Sequence, residues 1–484
     1  MRRIKSTAHN GLAARLFDLR KVELADPRCE LAAMACLVPL LLWAAFWNGF
    51  PIIYYDTGAY VLEGLGGHFM MERSPVYSLF LRLVGAGTSL WFVVFIQAAA
   101  TAFVLTQCGR ALTPRLSLGV FLLFGAAIVA GTGLPWYAGQ IEPDCFAALV
   151  VLSIYLLVSH ARTLGSVRGV LLVALGGFAA ASHPSHLLLA GFLLILIAAA
   201  SVVAGLTGSR WPGSRLLKPA LVCVLGFMLT VGGNFIFTRQ FFVSRAGASF
   251  VFARMLQDGI VMRLLDDTCP GSGYRLCAYR NSLPPTADGW LWTPNSPFFK
   301  LGHFDGTASE SERIVRDALM RYPVLQLRTA IGDAATQFFR FGTGDQIEPQ
   351  EWVLYPVLAR YIPRQMSAYL AARQQRGAID FRLIGKLDIA VGILSLGVLA
   401  FMLAWSIQAG YCQVSAFLGF VLAALIGNAV ICGVLSGPHD RYQSRLMWIT
   451  PFSLLLATAS QRRGSRMERK PADSCSEIQH GAIR

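Results

Sequence analysis

The sequence predicts an all-α polytopic membrane protein, and three observations predict it. Of 484 residues, 55% are hydrophobic and only 14% charged, where an ordinary globular chain carries about 25% charged residues. Apolar runs of spanning length, or close to it, recur near residues 31–48, 89–107, 115–134, 141–158, 168–182, 185–206, 217–237, 385–407, 412–435 and 444–460. A span needs about 20 such residues, so about ten transmembrane helices are expected. Basic residues are also shared unevenly between the connecting pieces. With the N-terminus inside, pieces 1–30, 108–115, 159–168, 207–218 and 461–484 hold 20 Lys and Arg, and the short pieces 49–88, 132–142, 182–186 and 436–445 hold 4. That asymmetry puts both termini of a multi-pass protein in the cytoplasm. The net charge of +15 then reads as lysine and arginine kept inside and near anionic membrane lipids, with no nucleic acid required.

Taken in order, residues 1–30 form a basic cytoplasmic tail without the apolar core and cleavage site of a signal peptide. Residues 31–237 form an N-terminal module of about seven spans, in which 168–206 reads either as two spans or as one broken hairpin. Its first external loop, 49–88, carries two short helices, Asp56 to Leu65 and Pro75 to Val84, separated by glycines 64, 66 and 67. Both are expected in the interface plane. Residues 238–384 form a small, mainly helical periplasmic domain. Apolar spacing predicts a helix over 244–266, a loop over 268–297 and helices over 309–322 and 324–341. Cys269 and Cys277 are the only cysteines of this domain. An oxidising compartment favours their disulfide, worth about 2–3 kcal/mol by loop entropy. Residues 385–460 supply about three more spans, and 461–484 a polar, basic, disordered cytoplasmic tail.

Ionisable residues beside apolar runs gather in the loops expected outside. Asn48-Gly-Phe-Pro-Ile-Ile-Tyr-Tyr-Asp56-Thr-Gly-Ala-Tyr60 sets one carboxylate among rings just past the first span, and a carboxylate there is costly to desolvate. Asp56 reads as a general base, or as the N-cap of the short helix that follows it. Glu72-Arg73-Ser-Pro-Val-Tyr77 supplies a cation that can serve a phosphate or pair with Glu72. Glu142-Pro-Asp144 opens the fourth span, where acids favour the helix dipole but can also bind a cation or sugar hydroxyls. His183 and His186, three apart around Pro184, read as phosphate donors or interfacial polar residues; two histidines alone are a weak metal signal. His439-Asp440-Arg441-Tyr442 and Arg445 precede the last span. Arg441 and Arg445 share one helical face, suited to a phosphate or to snorkelling toward lipid headgroups. Trp290, Trp292 and Phe298 read as domain core or interface rings rather than a sugar platform.

Asp56-Thr-Gly-Ala-Tyr60, Arg73-Ser-Pro-Val-Tyr77 and Arg441-Tyr442 before a Pro451-containing last span, set in this topology, resemble the GT-C membrane glycosyltransferases. That group includes the protein O-mannosyltransferases and the lipid A aminoarabinose transferases. The likeness covers roughly residues 31–240 and the last spans. It implies an inverting transferase that moves a sugar from a polyprenyl-phosphate carrier to a periplasmic glycan, lipid or protein acceptor. Asp56 matches the catalytic aspartate; Tyr60, Arg73, Tyr77, Glu142, Asp144, His183, His186, His439, Arg441, Tyr442 and Arg445 are then substrate-binding candidates. Two departures stand out. The external domain is small and lies between spans seven and eight, and the second acidic position reads Glu142-Pro-Asp144, so its match is open. No cofactor is certain; a divalent cation on Asp56, Glu142 and Asp144 stays an open alternative. A transporter of a lipid-linked sugar, the competing expectation, would place polar groups at mid-membrane depth. A non-catalytic assembly protein is the third.

Overall fold

The computed structural model describes residues 22–206 and 213–464. The cytoplasmic tails expected at the termini therefore fall mostly outside the described residues. Where they are described they are ordered: Leu24 bonds to Leu116 backbone at 2.8 Å, and the first helix begins at Pro27 rather than after residue 30.

Helices account for all regular structure among the described residues. Leaving aside the shortest turns, in chain order they begin with α1 (Pro27–Asn48), α2 (Thr57–Gly66), α3 (Pro75–Leu83), α4 (Leu90–Leu112), α5 (Leu118–Gly131), α6 (Cys145–Ser159), α7 (Ala161–Ala181), α8 (Pro184–Leu206) and α9 (Leu217–Thr238). Then follow α10 (Gly247–Gln257), α11 (Ile260–Thr268), α12 (Ala287–Trp292), α13 (His303–Arg321), α14 (Pro323–Phe338), α15 (Glu351–Tyr361), α16 (Phe381–Gln408), α17 (Cys412–Leu435), α18 (Asp440–Met447) and α19 (Ile449–Gly464). Their starts are legible locally. Ser74 caps α3 with Pro75 at its first position, Ser89 caps α4, Ser117 caps α5 and Asp380 caps α16, each side chain accepting a backbone N–H of the first turn.

Seven of these, α1, α4, α7, α8, α9, α16 and α17, are long and apolar enough to cross a membrane, so the chain is a multi-pass membrane protein. Three of the ten expected runs fall short of that length. The runs at 115–134, 141–158 and 444–460 form helices of 14, 15 and 16 residues, short of the roughly 20 that a span requires. The physical reason is plainest for α6, which is buried from Cys145 to Val158 and faces protein on all sides. An apolar helix enclosed by others need not match lipid thickness. The ambiguous stretch 168–206 is two helices, α7 and α8, joined through Ser182 and His183.

α6 is the axis of the bundle, with α4, α7, α8, α9 and α17 packed on it. At one end of the bundle, Arg168 Nη2 lies 2.6 Å and Arg110 Nη1 3.8 Å from Glu30, which brings together three of the basic pieces. The acidic loops meet at the other end.

The segment expected as one domain divides in two. Residues 246–318 close their own core around Phe252, Trp290 and Phe298, and Cys269 and Cys277 are disulfide-bonded with Cα atoms 5.7 Å apart. The expected helix over 244–266 is broken at Gly259, whose φ of +76° ends α10. Leu354, Leu358, Ile362 and Tyr369 instead belong to the main core, where α15 packs on α2. Gln374 fastens this return to the first loop. Its Nε2 donates to Ile53 O at 2.6 Å, and its Oε1 accepts from Ile53 N at 3.0 Å. α2 and α3 pack on each other and bury Thr57, Tyr60, Val61, Glu63, Tyr77 and Ser78.

Candidate functional site

The site is assembled from chain segments nearly 390 positions apart, and each side chain is delivered by a helix end. Asp56 stands at the start of α2, Arg73 in the α2–α3 turn, Glu142 and Asp144 ahead of α6, Ser185 in the first turn of α8, and Arg441 and Arg445 on α18. Arg441 is the hub. Its Nε binds Asp144 Oδ2, its Nη2 lies 3.1 Å from Glu142 Oε2 and its Nη1 3.1 Å from Asp56 Oδ2. The Tyr54 ring covers its guanidinium at 4.0 Å, and Asp345 accepts from its backbone N–H at 3.3 Å. Arg73 Nη2 holds the other oxygen of Asp56 at 2.6 Å. Arg445 Nη1 holds Asp144 Oδ1 at 2.8 Å, and its Nη2 donates to Ser185 Oγ at 2.8 Å. Charge-assisted pairs of this kind are the strong ones, and only such pairing makes burial of six ionisable groups tolerable.

Exposure separates the six. Asp56 and Arg73 keep 17% and 14% of their side-chain surface, Arg441 8%, and Glu142, Asp144 and Arg445 none. Two carboxylates one residue apart are driven in opposite directions. Burial lifts Glu142 well above the usual carboxylate range; Arg441 and Arg73 oppose the shift, Asp56 and Asp144 add to it, and its Oε1 has no partner. Asp144 is as buried, but Arg441 and Arg445 together hold it well below that range. His183 is half-buried; enclosure by the surrounding protein, with His186 and Arg445 beside it, keeps it well below the usual histidine range and neutral.

Several expectations need correction. Asp56 precedes α2 but makes no capping bond, so its carboxylate is not spent on the helix. Arg73 pairs with Asp56 rather than with the Glu72 carboxylate. Tyr60 and Tyr77 stack edge to face in the core, with the Tyr77 hydroxyl bonded to Gln97 Oε1 at 2.7 Å, so neither presents a surface to a ligand. His186 is buried, its Nδ1 held by Ala179 O at 3.1 Å and Ser182 Oγ at 3.3 Å. His183 reaches Arg445 only through Ser185, at 2.8 Å. Tyr442 bonds Ser436 Oγ through its hydroxyl and lies beside Arg445. His439 sits at the rim, 3.8 Å from both Asp288 and Asp345. Arg445 is wholly enclosed and cannot meet a ligand directly. The residues do not fit a divalent cation as they stand: Asp56 and Asp144 commit both oxygens to arginines, and no group of three or more His, Cys, Asp or Glu among the described residues is placed to hold a metal.

Sequence reading missed Tyr54, Ser185 and Asp345. Tyr54 carried a weak signal, a ring two residues from the key carboxylate; nothing local marks the other two. Trp290 and Phe298 are core, as expected, whereas Trp292 is 40% exposed with its ring 5.7 Å from the Arg73 guanidinium.

The chain matches no protein-family model, no curated protein and no solved structure. A function for it has to rest on this geometry.

Proposed function

We propose that the protein is an inverting glycosyltransferase that moves a sugar from a polyprenyl-phosphate carrier to a hydroxyl acceptor at the outer face of a bacterial inner membrane. One observation carries the reading: the most exposed carboxylate of the cluster, Asp56, lies between two guanidiniums, Arg73 and Arg441, at one end of a bundle of apolar helices. A base beside an oxyanion holder is what transfer from a phosphate leaving group requires. The acceptor hydroxyl gives its proton to an Asp56 oxygen, and its oxygen bonds to the anomeric carbon. The carbon–phosphate-oxygen bond breaks, and the electron pair leaves on the phosphate, facing Arg73 and Arg441. Arg445 orients Asp144, and Asp144 orients Arg441, so both are positioning residues. Polar groups gathered at a bundle end, rather than along one broken helix, favour this reading over a transporter.

The test is transfer of labelled sugar from a polyprenyl-phosphate donor by purified protein. Asp56→Asn should lower transfer roughly 10²–10⁴-fold while the melting temperature stays near that of wild type. Near-normal transfer by this variant would remove Asp56 as the base.

A further inference from the structure

We propose that Asp56 is an exchangeable occupant of a phosphate-binding site: an organic phosphate anion displaces its carboxylate from Arg73 and Arg441, and the displacement frees that carboxylate to act as the base. The proposal rests on the transferase reading only for what happens after the anion binds.

Four features of the site lead to it. The two oxygens of Asp56 go to two different arginines, Oδ1 to Arg73 at 2.6 Å and Oδ2 to Arg441 at 3.1 Å. Two guanidiniums already converge on one oxyanion, and arginine forks match phosphate as well as carboxylate. Next, Asp56 is the carboxylate of the cluster that can leave. Glu142 and Asp144 are fully enclosed, whereas Asp56 keeps 17% of its side-chain surface and, among the described residues, its carboxylate bonds to Arg73 and Arg441 alone. Third, the arginines stay in place without it. Arg441 is still gripped by Asp144, by Glu142 and by the Tyr54 face. Arg73 keeps its contact to Glu72 O at 3.3 Å and the Trp292 ring beside it.

Finally, the buried Nε of Arg73 has no hydrogen-bond partner. A buried unmade bond is costly, and a carboxylate with both oxygens engaged does not supply the missing acceptor. A phosphodiester, whose two non-bridging oxygens can each accept more than one hydrogen bond and whose ester oxygens add further acceptors, can take Arg73 Nη2 and Nε together and Arg441 Nη1 besides. The exchange then orders events: donor phosphate arrives, Asp56 is released, and only then is a base present for the acceptor.

The experiment measures binding of farnesyl phosphate, with inorganic phosphate as a second probe, to the purified full-length protein in detergent. Melting temperatures are recorded for every variant. Because the carboxylate competes with the ligand, Asp56→Asn should bind farnesyl phosphate about 10-fold or more tightly than wild type, although it is the variant expected to lose transfer. Arg73→Gln should bind at least about 10-fold more weakly; a charge-assisted pair of this kind accounts for such factors. If Asp56→Asn melts early, Asp56→Ser replaces it. Binding no tighter than wild type by a folded Asp56 variant overturns the exchange, whatever the transfer assay shows. Tighter binding without transfer by wild type keeps the exchange and overturns the transferase. Tightening with inorganic phosphate as well supports recognition of the headgroup. No tightening with either probe overturns the proposal.

Discussion

At the scale of single residues, burial and pairing decide what each charge can do. Arg445 and Asp144 are fully enclosed and lie 2.8 Å apart. Removing one partner of a buried pair strands the other, at a cost of about 3–5 kcal/mol. Arg445→Met should therefore fail chiefly in folding, read as a large loss of melting temperature, and Asp144→Asn added to it should restore part of that loss. A folded Arg445→Met that loses only donor binding would make Arg445 a direct ligand instead. Glu63 tests the same physics from the other sign. It is buried on α2, accepts from Ser78 Oγ at 2.6 Å and from Met70 N at 3.0 Å, and burial pushes its carboxyl up to about 7. An unfolded glutamate titrates near 4.3. The folded state holds this proton more tightly, so the stability it contributes is complete below about pH 4 and is lost as pH rises through about 7, at up to about 1.4 kcal/mol per unit. Thermal melts of wild type should drop between about pH 5 and 7 and level off above, and Glu63→Gln should flatten that part of the curve.

Elements carry the charges to the site, and their close contacts set its geometry. Gly64 of α2 faces α3 so closely that a Cβ there would stand 2.2 Å from Ser78 O. The obstacle is backbone, which cannot turn aside. Asp56 lies just before α2 and Arg73 just before α3, so the separation of these helices sets the separation of the pair. Gly64→Ala should cost about 1–3 kcal/mol of stability by overpacking and lower transfer with it. Unchanged melting and transfer would mean that the α2–α3 spacing does not govern the site. α18 sets the geometry from the other side: its Arg441 and Arg445, one helical turn apart, both reach Asp144.

For the whole molecule, the connectivity of the helices explains why loops so far apart in sequence meet. α4 and α5 lie between the loop holding Asp56 and Arg73 and the one holding Glu142 and Asp144; α6 and α7 lie between that loop and Ser182–His183. An even number of antiparallel helices returns the chain to the same end each time. Arg110 and Arg168 meet Glu30 at the opposite end. From the charge asymmetry of the loops we propose that residues 110 and 165 face the cytoplasm and the domain of α10–α13 the outside. Single cysteines introduced at 165 and 305 and labelled from outside intact cells should react at 305 alone. Labelling at 165 would invert the orientation.

Hydrophobic content, run length and loop charge were enough to derive from the sequence an all-helical membrane protein and the loops that would hold the charges. These are local quantities: a span is apolar whatever surrounds it, and an isolated carboxylate beside a span is conspicuous wherever the chain goes next. Only the tertiary structure decided which runs are short helices, because enclosure of α6 depends on its neighbours. It also decided that Arg441 and Arg445 bind carboxylates within the protein, that Tyr60 and Tyr77 are core, and that Asp56 is free of its helix. The arginine pairing turns on side chains about 300 positions apart in the chain, such as Asp144 and Arg445. Spacing along the sequence specifies the face of a helix; what occupies the other side of that contact is set by packing.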